Sequence, residues 1–283
     1  DEINWENYSK KIIEDTSSDN TKSKSWQIAK LLLERINNLS PEELIAFNQV
    51  LLKDLAQKEA FLYSSQKSLQ EIIEFNTWAG KTQAPACPIE FKQAPCLLDS
   101  IFQVALNVGF NKVNSQIEEN IEHNIGIGQK FIRHKRKINI NNSSFEERWP
   151  LGTYKAYYKF YLPKSALVEK IEFAKNILNA AEIKIEESET NRVVSLLVEI
   201  PPQSQKELIV TYLIPNDSGA AFSYVFSDQK QAGIYQKTID YKIVFDEQFK
   251  PRLIAPQATY QNKIIYFQNP NLDNFLFAVN FDQ

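Results

Sequence analysis

The chain has 283 residues, 43% of them hydrophobic, with 32 Lys and Arg against 35 Asp and Glu for a net charge of -3. That length and apolar content fit one large or two ordinary globular domains, with two as the working expectation, and exclude a disordered chain. The near-neutral balance supplies no positive field to gather phosphates, so nucleic acid is not an expected partner, and no apolar stretch nears the roughly 20 residues that span a bilayer.

The sequence opens at Asp1 and contains no methionine, which leads to the expectation that a preceding segment, with any signal peptide or anchor, has been removed. Trp5, Tyr8, Ile12 and Ile13 follow helical spacing, and residues 15–25 form a polar linker. A second helix starts near Ser25 and carries Trp26, Ala29, Leu32, Leu33 and Ile36 on one face. Ser40-Pro41-Glu42-Glu43 joins a capping serine, a proline at the first helical position and a glutamate at the third, which starts a helix through Leu44, Phe47, Leu51, Leu52 and Leu55. Phe61-Leu62-Tyr63 is a short buried-strand candidate, and Ser65 caps a helix with Leu69, Ile72, Ile73 and Phe75 before a turn at Gly80.

Cys87 and Cys96 sit in a short loop stiffened by Pro85, Pro88 and Pro95. A disulfide between them, and with it an oxidising compartment, is the simplest reading. A redox pair or half a metal site fits less well, because the spacing is not C-x-x-C and no histidine is near. Residues 97–108 are apolar almost throughout, as in a strand covered on both faces. With residues 61–63 they suggest a small sheet flanked by helices, the remnant of an α/β domain completed by chain outside this sequence.

From Val113 the period changes to two: Val113, Ser115, Ile117, Ile121, His123 and Ile125 point one way, and Gln116, Glu118, Asn120, Glu122 and Asn124 the other. Gly126-Ile127-Gly128-Gln129 reads as a hairpin loop with Ile125 opposite Lys130, Glu122 opposite Arg133 and Glu118 opposite Lys137. Further strands are predicted at 154–162, 167–173, 182–185, 192–200, 207–213, 222–226, 236–245, 263–267 and 275–281, divided by proline, glycine and asparagine breaks. The fold class expected is therefore α+β. Residues 1–112 form a helical, α/β-like segment with a disulfide loop, and residues 113–283 an antiparallel β-sandwich, with an immunoglobulin-like form as one option.

Several segments, in order, resemble a bacterial domain-of-unknown-function family, number 4012. They are Phe61-Leu62-Tyr63-Ser64, Trp78-Ala79-Gly80, the cysteine loop, Asn107-Val108-Gly109-Phe110-Asn111-Lys112, Trp149-Pro150-Leu151-Gly152-Thr153-Tyr154, Tyr161-Leu162-Pro163-Lys164 and Gln229-Lys230-Gln231-Ala232-Gly233. The match covers nearly the whole chain but only the C-terminal part of such proteins, and it departs from the family at Phe110, where a small residue is expected. The resemblance implies an extracytoplasmic, membrane-anchored envelope protein. Its upstream α/β part, distantly similar to the LytR-CpsA-Psr glycopolymer transferases, would be a partner within the same protein. A cell-wall or surface glycan is the implied setting.

For His123 and His134, which lie on one face of the predicted hairpin, packing is preferred to a zinc site because no carboxylate or cysteine is predicted beside them. The run Arg133-His134-Lys135-Arg136-Lys137 reads as a solvated face neutralised by Glu118 and Glu122 rather than as an anion-binding patch. Asn107, Asn111 and Lys112 are candidates to fix the domain junction by binding backbone carbonyls, or to present donors to a ligand. Tyr157 and Tyr161, alternating with Lys155 and Lys159, are candidates to stack on sugar rings, although β-propensity alone explains tyrosines on a strand. Residues 229–233 form a turn with Gly233 at positive φ, not a phosphate loop. There is no G-x-S-x-G elbow, and the pairs Glu146-Glu147 and Glu186-Glu187 are adjacent on strands and point apart. The expectation is a non-catalytic binding or structural ectodomain without cofactor or metal. The alternatives are an accessory part of a glycopolymer transferase-like enzyme and a carbohydrate-binding module.

Overall fold

The computed structural model describes residues 21–82, 84–219, 221–233, 237–261, 263–269 and 274–282. The predicted first helix, with Trp5, Tyr8, Ile12 and Ile13, lies outside them. The chain divides into two compact units, one ending at Asp54 and one starting at Leu55.

Up to Asp54 the described chain is helical: α1 spans Thr21–Asn37 and α2 starts at Pro41 and continues to Ala56 (Pro41–Ala56). The start of α2 is a reciprocal capping box, with Ser40 N donating to Glu43 Oε2 at 2.8 Å and Glu43 N donating to Ser40 Oγ at 3.3 Å. On the apolar face of α1, Trp26, Leu32, Leu33 and Ile36 are exposed; on that of α2, Leu44 and Leu52 are exposed, Phe47 and Leu51 half-buried and Leu55 buried.

From Leu55 onward one short helix, α3 (Lys67–Phe75), precedes a large β body. Ser65 does not cap α3; Gln66 occupies that position without a side-chain bond. The strands are β1 (Cys96–Asn107), β2 (Ile117–Ile127), β3 (Phe131–Asn142), β4 (Tyr154–Pro163), β5 (Leu167–Phe173), β6 (Asn176–Ile177), β7 (Ile183–Glu187) and β8 (Asn191–Ile200). They continue as β9 (Ser204–Pro215), β10 (Phe222–Gln229), β11 (Lys237–Phe245), β12 (Lys250–Ala255), β13 (Thr259–Gln261), β14 (Ile264–Asn269) and β15 (Phe275–Asp282). Among the described residues they form a seven-stranded sheet, β12-β15-β10-β1-β4-β8-β7, and an eight-stranded sheet, β13-β14-β11-β2-β3-β9-β5-β6. Ile101, Tyr158 and Phe226 of the first sheet and Ile121, Ile138 and Tyr241 of the second belong to one buried core.

Every strand predicted from residue 154 onward has its counterpart. β12 was hidden by Pro251, which reads as a break but is tolerated because β12 is an edge strand. β6 and β13, of two and three residues, are too short to carry a period.

Residues 61–63 form no strand, contrary to expectation, and β1 is not part of an α/β remnant: it pairs in parallel with β10 and antiparallel with β4 in the seven-stranded sheet. Both sheets are mixed, because β2 and β11 are also parallel, and strand direction leaves no trace in an alternating pattern. β1 belongs to the compact unit that starts at Leu55, within α2. The β2–β3 register is displaced by four residues, so that Ile125 faces His134 and Glu122 faces Lys137. The observed register carries the pairing on to Ile127 and Ile132, which face each other and are buried, whereas the predicted hairpin left Ile127 in its loop. Because the displacement is an even number, every side chain keeps its predicted face.

The disulfide Cys87–Cys96, with Cα atoms 6.2 Å apart, closes the loop before β1. The loop lays Phe91 over Val225 and Ala278 on the outer side of the seven-stranded sheet. Ser223 Oγ donates to Phe91 O at 2.7 Å, and Ser223 N donates to Pro95 O at 2.9 Å.

Candidate functional site

The least ordinary feature of the core is a chain of polar side chains between the sheets. On β3, Ile132, His134, Arg136, Ile138 and Ile140 share one phase of the period-two pattern, so His134 and Arg136 point inward and are fully buried. The same phase on the other strands brings in Asp99 and Gln103 of β1, Glu119 and His123 of β2, Asp228 of β10 and Lys237 of β11. A buried guanidinium requires a partner. Arg136 Nη1 donates to Asp228 Oδ2 at 2.6 Å, and Nε donates to Gln103 Oε1 at 2.8 Å.

Arg136 also sets the direction of a relay. Its Nη1 lies 2.9 Å from His123 Nδ1, and a guanidinium has only donors, so Nδ1 accepts and the His123 proton sits on Nε2. His123 Nε2 is 3.0 Å from His134 Nδ1, which therefore accepts and leaves the His134 N–H on Nε2. That nitrogen lies 2.8 Å from Asp99 Oδ2, off the line of an ideal hydrogen bond. Tyr224 Oη donates to Asp99 Oδ2 at 2.6 Å, and Tyr241 Oη donates to Asp228 Oδ2 at 2.8 Å. A second branch runs from Gln103 Nε2 to Glu119 Oε2 at 2.9 Å; Tyr158 Oη donates to the same carboxylate, and Lys237 Nζ is 3.7 Å away. The rings are held by packing: His134 stacks on Tyr212 at 4.4 Å, and Phe226 meets His123 edge-on at 5.2 Å.

Burial, then the charge of Arg136 and the neighbouring His134, holds the His123 imidazole well below the usual histidine pKa. Burial works most strongly against the Arg136 charge, but Asp228, Tyr241 and Tyr212 together outweigh it and raise the arginine's pKa. Lys237 is lowered by burial despite Glu119. Tyr158, Tyr212, Tyr224 and Tyr241 are raised, chiefly by burial and then by neighbouring carboxylates. The network joins β1 and β10 of one sheet to β2, β3 and β11 of the other, and its ring and guanidinium groups have no exposed surface. It can fix the two sheets in one relative position; it cannot meet a solute without the sheets parting. Among the described residues, no group of three or more His, Cys, Asp or Glu is arranged to hold a metal.

Asn107 and Asn111 form a local knot. Asn107 Nδ2 donates to Asn111 Oδ1 at 2.9 Å and to Asn114 Oδ1 at 2.6 Å, Gly109 N donates to Asn107 Oδ1 at 2.9 Å, and Asn111 Nδ2 donates to Thr153 O at 2.8 Å. Lys112 contributes its backbone N–H to Pro150 O at 2.7 Å, and its side chain is exposed. Phe110 is 97% exposed at a φ of 56°. Residues 229–233 make a second knot, with Gly233 at a φ of 71°. Gln231 holds both sides of the Ala105 peptide, accepting from N at 2.7 Å and donating to O at 3.0 Å. Lys230 Nζ donates to Gln57 O at 3.0 Å and pairs with Glu59.

Tyr157 and Tyr161 lie on the outer side of the seven-stranded sheet, half-buried. Tyr161 stacks on Phe102 at 5.6 Å, Lys159 Nζ is 5.8 Å from the Tyr157 ring centre, and Lys155 pairs with Glu199 at 2.6 Å. Two concavities are open to solvent. One, of about 750 Å³, lies between the disulfide loop and β12 and β15, lined by Phe91, Leu253, Ala255, Phe275 and Ala278. The other, of about 480 Å³, lies on the outer side of the eight-stranded sheet over β2, β11 and β14.

Neither a protein-family model nor a curated protein matches the sequence. Among solved structures, a candidate nutrient binding protein of Legionella pneumophila is similar over 64% of this chain and 70% of its own, at 6% identity and a TM-score of 0.40. Native yeast LTA4 hydrolase is similar over 59% of this chain and 29% of its own, at 10% identity and a TM-score of 0.34. An M1 zinc metallopeptidase of Deinococcus radiodurans is similar over 58% and 42%, at 7% identity and a TM-score of 0.28. The chain thus spans less than half of either enzyme, and at these scores no argument about activity rests on the likenesses.

Proposed function

We propose that this chain is the extracytoplasmic, non-catalytic part of a bacterial cell-envelope protein, in which the β body serves as a binding or structural module. The Cys87–Cys96 disulfide carries this reading, because such bonds persist in oxidising compartments and this one ties down a loop that packs on the sheet. The sealing of the histidine relay supports a structural role for the only histidines in the sequence. The exposed apolar face of α1, with Trp26, Leu32 and Leu33, supports a docking partner, the upstream α/β part implied by the resemblance to family 4012.

The β body is read, at finer grain, as an antiparallel sandwich, since every neighbouring strand pair except β1–β10 and β2–β11 runs antiparallel. Anchorage through a preceding segment and a wall or surface glycan setting belong to the same proposal. The accessory-part reading shares this location and assigns catalysis to upstream chain. The carbohydrate-binding reading is favoured by aromatic and polar side chains left open on the outer sheet faces. Protease added to intact cells of the source organism tests the location: the β body should be degraded while cytosolic markers survive, and full protection until lysis would refute it.

A further inference from the structure

We propose that the groove on the outer side of the eight-stranded sheet, beside Tyr266, is a binding site for a neutral saccharide; this rests on the reading of the chain as a binding module. The groove is lined by Glu122, Asn124, Asp240, Lys242, Tyr266 and Gln268. Strand register places these side chains in two parallel rows. Glu122, Asp240 and Gln268 are successive neighbours across β2, β11 and β14, and Asn124, Lys242 and Tyr266 form the next row on the same side. Neighbours within a row are about 4.8 Å apart and the rows are roughly 7 Å apart, so amide, carboxylate and ammonium groups converge beside one aromatic ring.

The surroundings set this patch apart. Several polar groups elsewhere on that side are paired: Thr238 Oγ1 donates to Asn120 Oδ1 at 2.7 Å, Arg133 meets Glu169 at 2.9 Å, and Lys137 meets Glu207 at 3.0 Å. In the groove, Glu122 alone has a partner, Lys137 at 3.6 Å. Asn124, Asp240, Lys242 and Gln268 make no side-chain hydrogen bond or ion pair to other described residues. The Tyr266 ring is 49% exposed and stacks on no other described ring. A half-exposed tyrosine flanked by unspent donors and acceptors matches a pyranose, whose C–H face packs on a ring while its hydroxyls both donate and accept.

Charge narrows the class. Acids and bases are interspersed along the two rows, with Lys137, Glu122 and Asp240 in one and Lys135, Asn124 and Lys242 in the other, so neither sign of charge dominates and an uncharged polyol is the ligand that can use every group. The tyrosine row of β4 is poorer in this respect, because Tyr161 is stacked on Phe102 and Lys155 is paired with Glu199.

Titration of the full chain with cellohexaose, maltohexaose and chitohexaose, followed by calorimetry and by amide NMR shifts, tests the site. At least one hexaose should bind saturably. Tyr266→Ala should weaken it at least about tenfold, Asp240→Ala should weaken it measurably, and Lys184→Ala, on β7 of the other sheet, should leave it unchanged. Polygalacturonate should not compete. Thermal midpoints equal to that of the parent would establish that both groove variants fold. Failure of all three hexaoses to saturate, unchanged affinity in Tyr266→Ala and Asp240→Ala, or tighter binding of polygalacturonate would each overturn the proposal. Sedimentation with an insoluble cell-wall preparation separates this failure from that of the module reading. Equal retention of parent and Tyr266→Ala would remove the groove and leave the module, and retention of neither would remove both.

Discussion

Arg136 holds a position that the sequence marks in two ways with opposite meanings. As one of five consecutive basic or histidine residues it reads as surface; as the alternate neighbour of Ile132, Ile138 and Ile140 it reads as core, and the core reading prevails because Asp228 and Gln103 await it. The phase was legible, but the acidic partner, 92 residues away on a strand of the other sheet, was not. The same holds for His123 and His134: their shared face was predicted, whereas the carboxyl beside them comes from β1, whose place in the sheet no local pattern reveals. Replacing Arg136 with Met leaves Asp228 buried without its counter-charge and should destabilise the fold by about 3–5 kcal/mol. Urea unfolding should show this loss, and adding Asp228→Asn should restore part of it.

The histidine relay also dictates a pH dependence. Since the folded-state pKa of His123 is below its unfolded value near about 6.5, its contribution to stability is fully present above that value. The contribution falls as the pH drops from there toward the folded pKa, with a limiting slope of about 1.4 kcal/mol per pH unit. Unfolding free energies measured across the weakly acid range should follow this slope. His123→Gln, whose amide can accept from Arg136 and donate to His134, should flatten it; an unchanged slope would move the titration to another group.

At the scale of elements, alternation was the reliable signal and pairing was not. The two faces of β2 and β3 were read correctly although their register was displaced by four residues, because an even displacement conserves every face. β1 was misassigned for a specific reason. Its inner phase mixes Asp99 and Gln103 with Leu97, Ile101 and Ala105, and its outer phase carries Leu98, Phe102, Val104 and Leu106, so no alternation of polarity marks the buried face. The disulfide loop was predicted from its prolines and cysteines, but its docking through Phe91 was not. Reduction should destabilise the chain by about 3 kcal/mol in the loop-entropy picture. Scanning calorimetry with and without reductant checks this, and Cys87→Ser should reproduce the reduced midpoint. Gln231→Ala removes both bonds to the Ala105 peptide and should cost about 1–3 kcal/mol, read by urea unfolding.

For the molecule as a whole, the β-rich content, the order of the strands and the helical beginning were visible in composition and period. Strand direction was not, because it depends on which distant segments meet. Some of the segments quoted for the family resemblance form local knots: Asn107 and Asn111 beside Thr153, and residues 229–233 against residues 57–59. Compartment is the claim on which the functional account stands. The most direct measurement is the thiol state of Cys87 and Cys96 in protein from its native source, denatured in an alkylating reagent before any reductant is added. The account predicts that neither cysteine is alkylated until reductant is supplied; two alkylated thiols at the outset would contradict it.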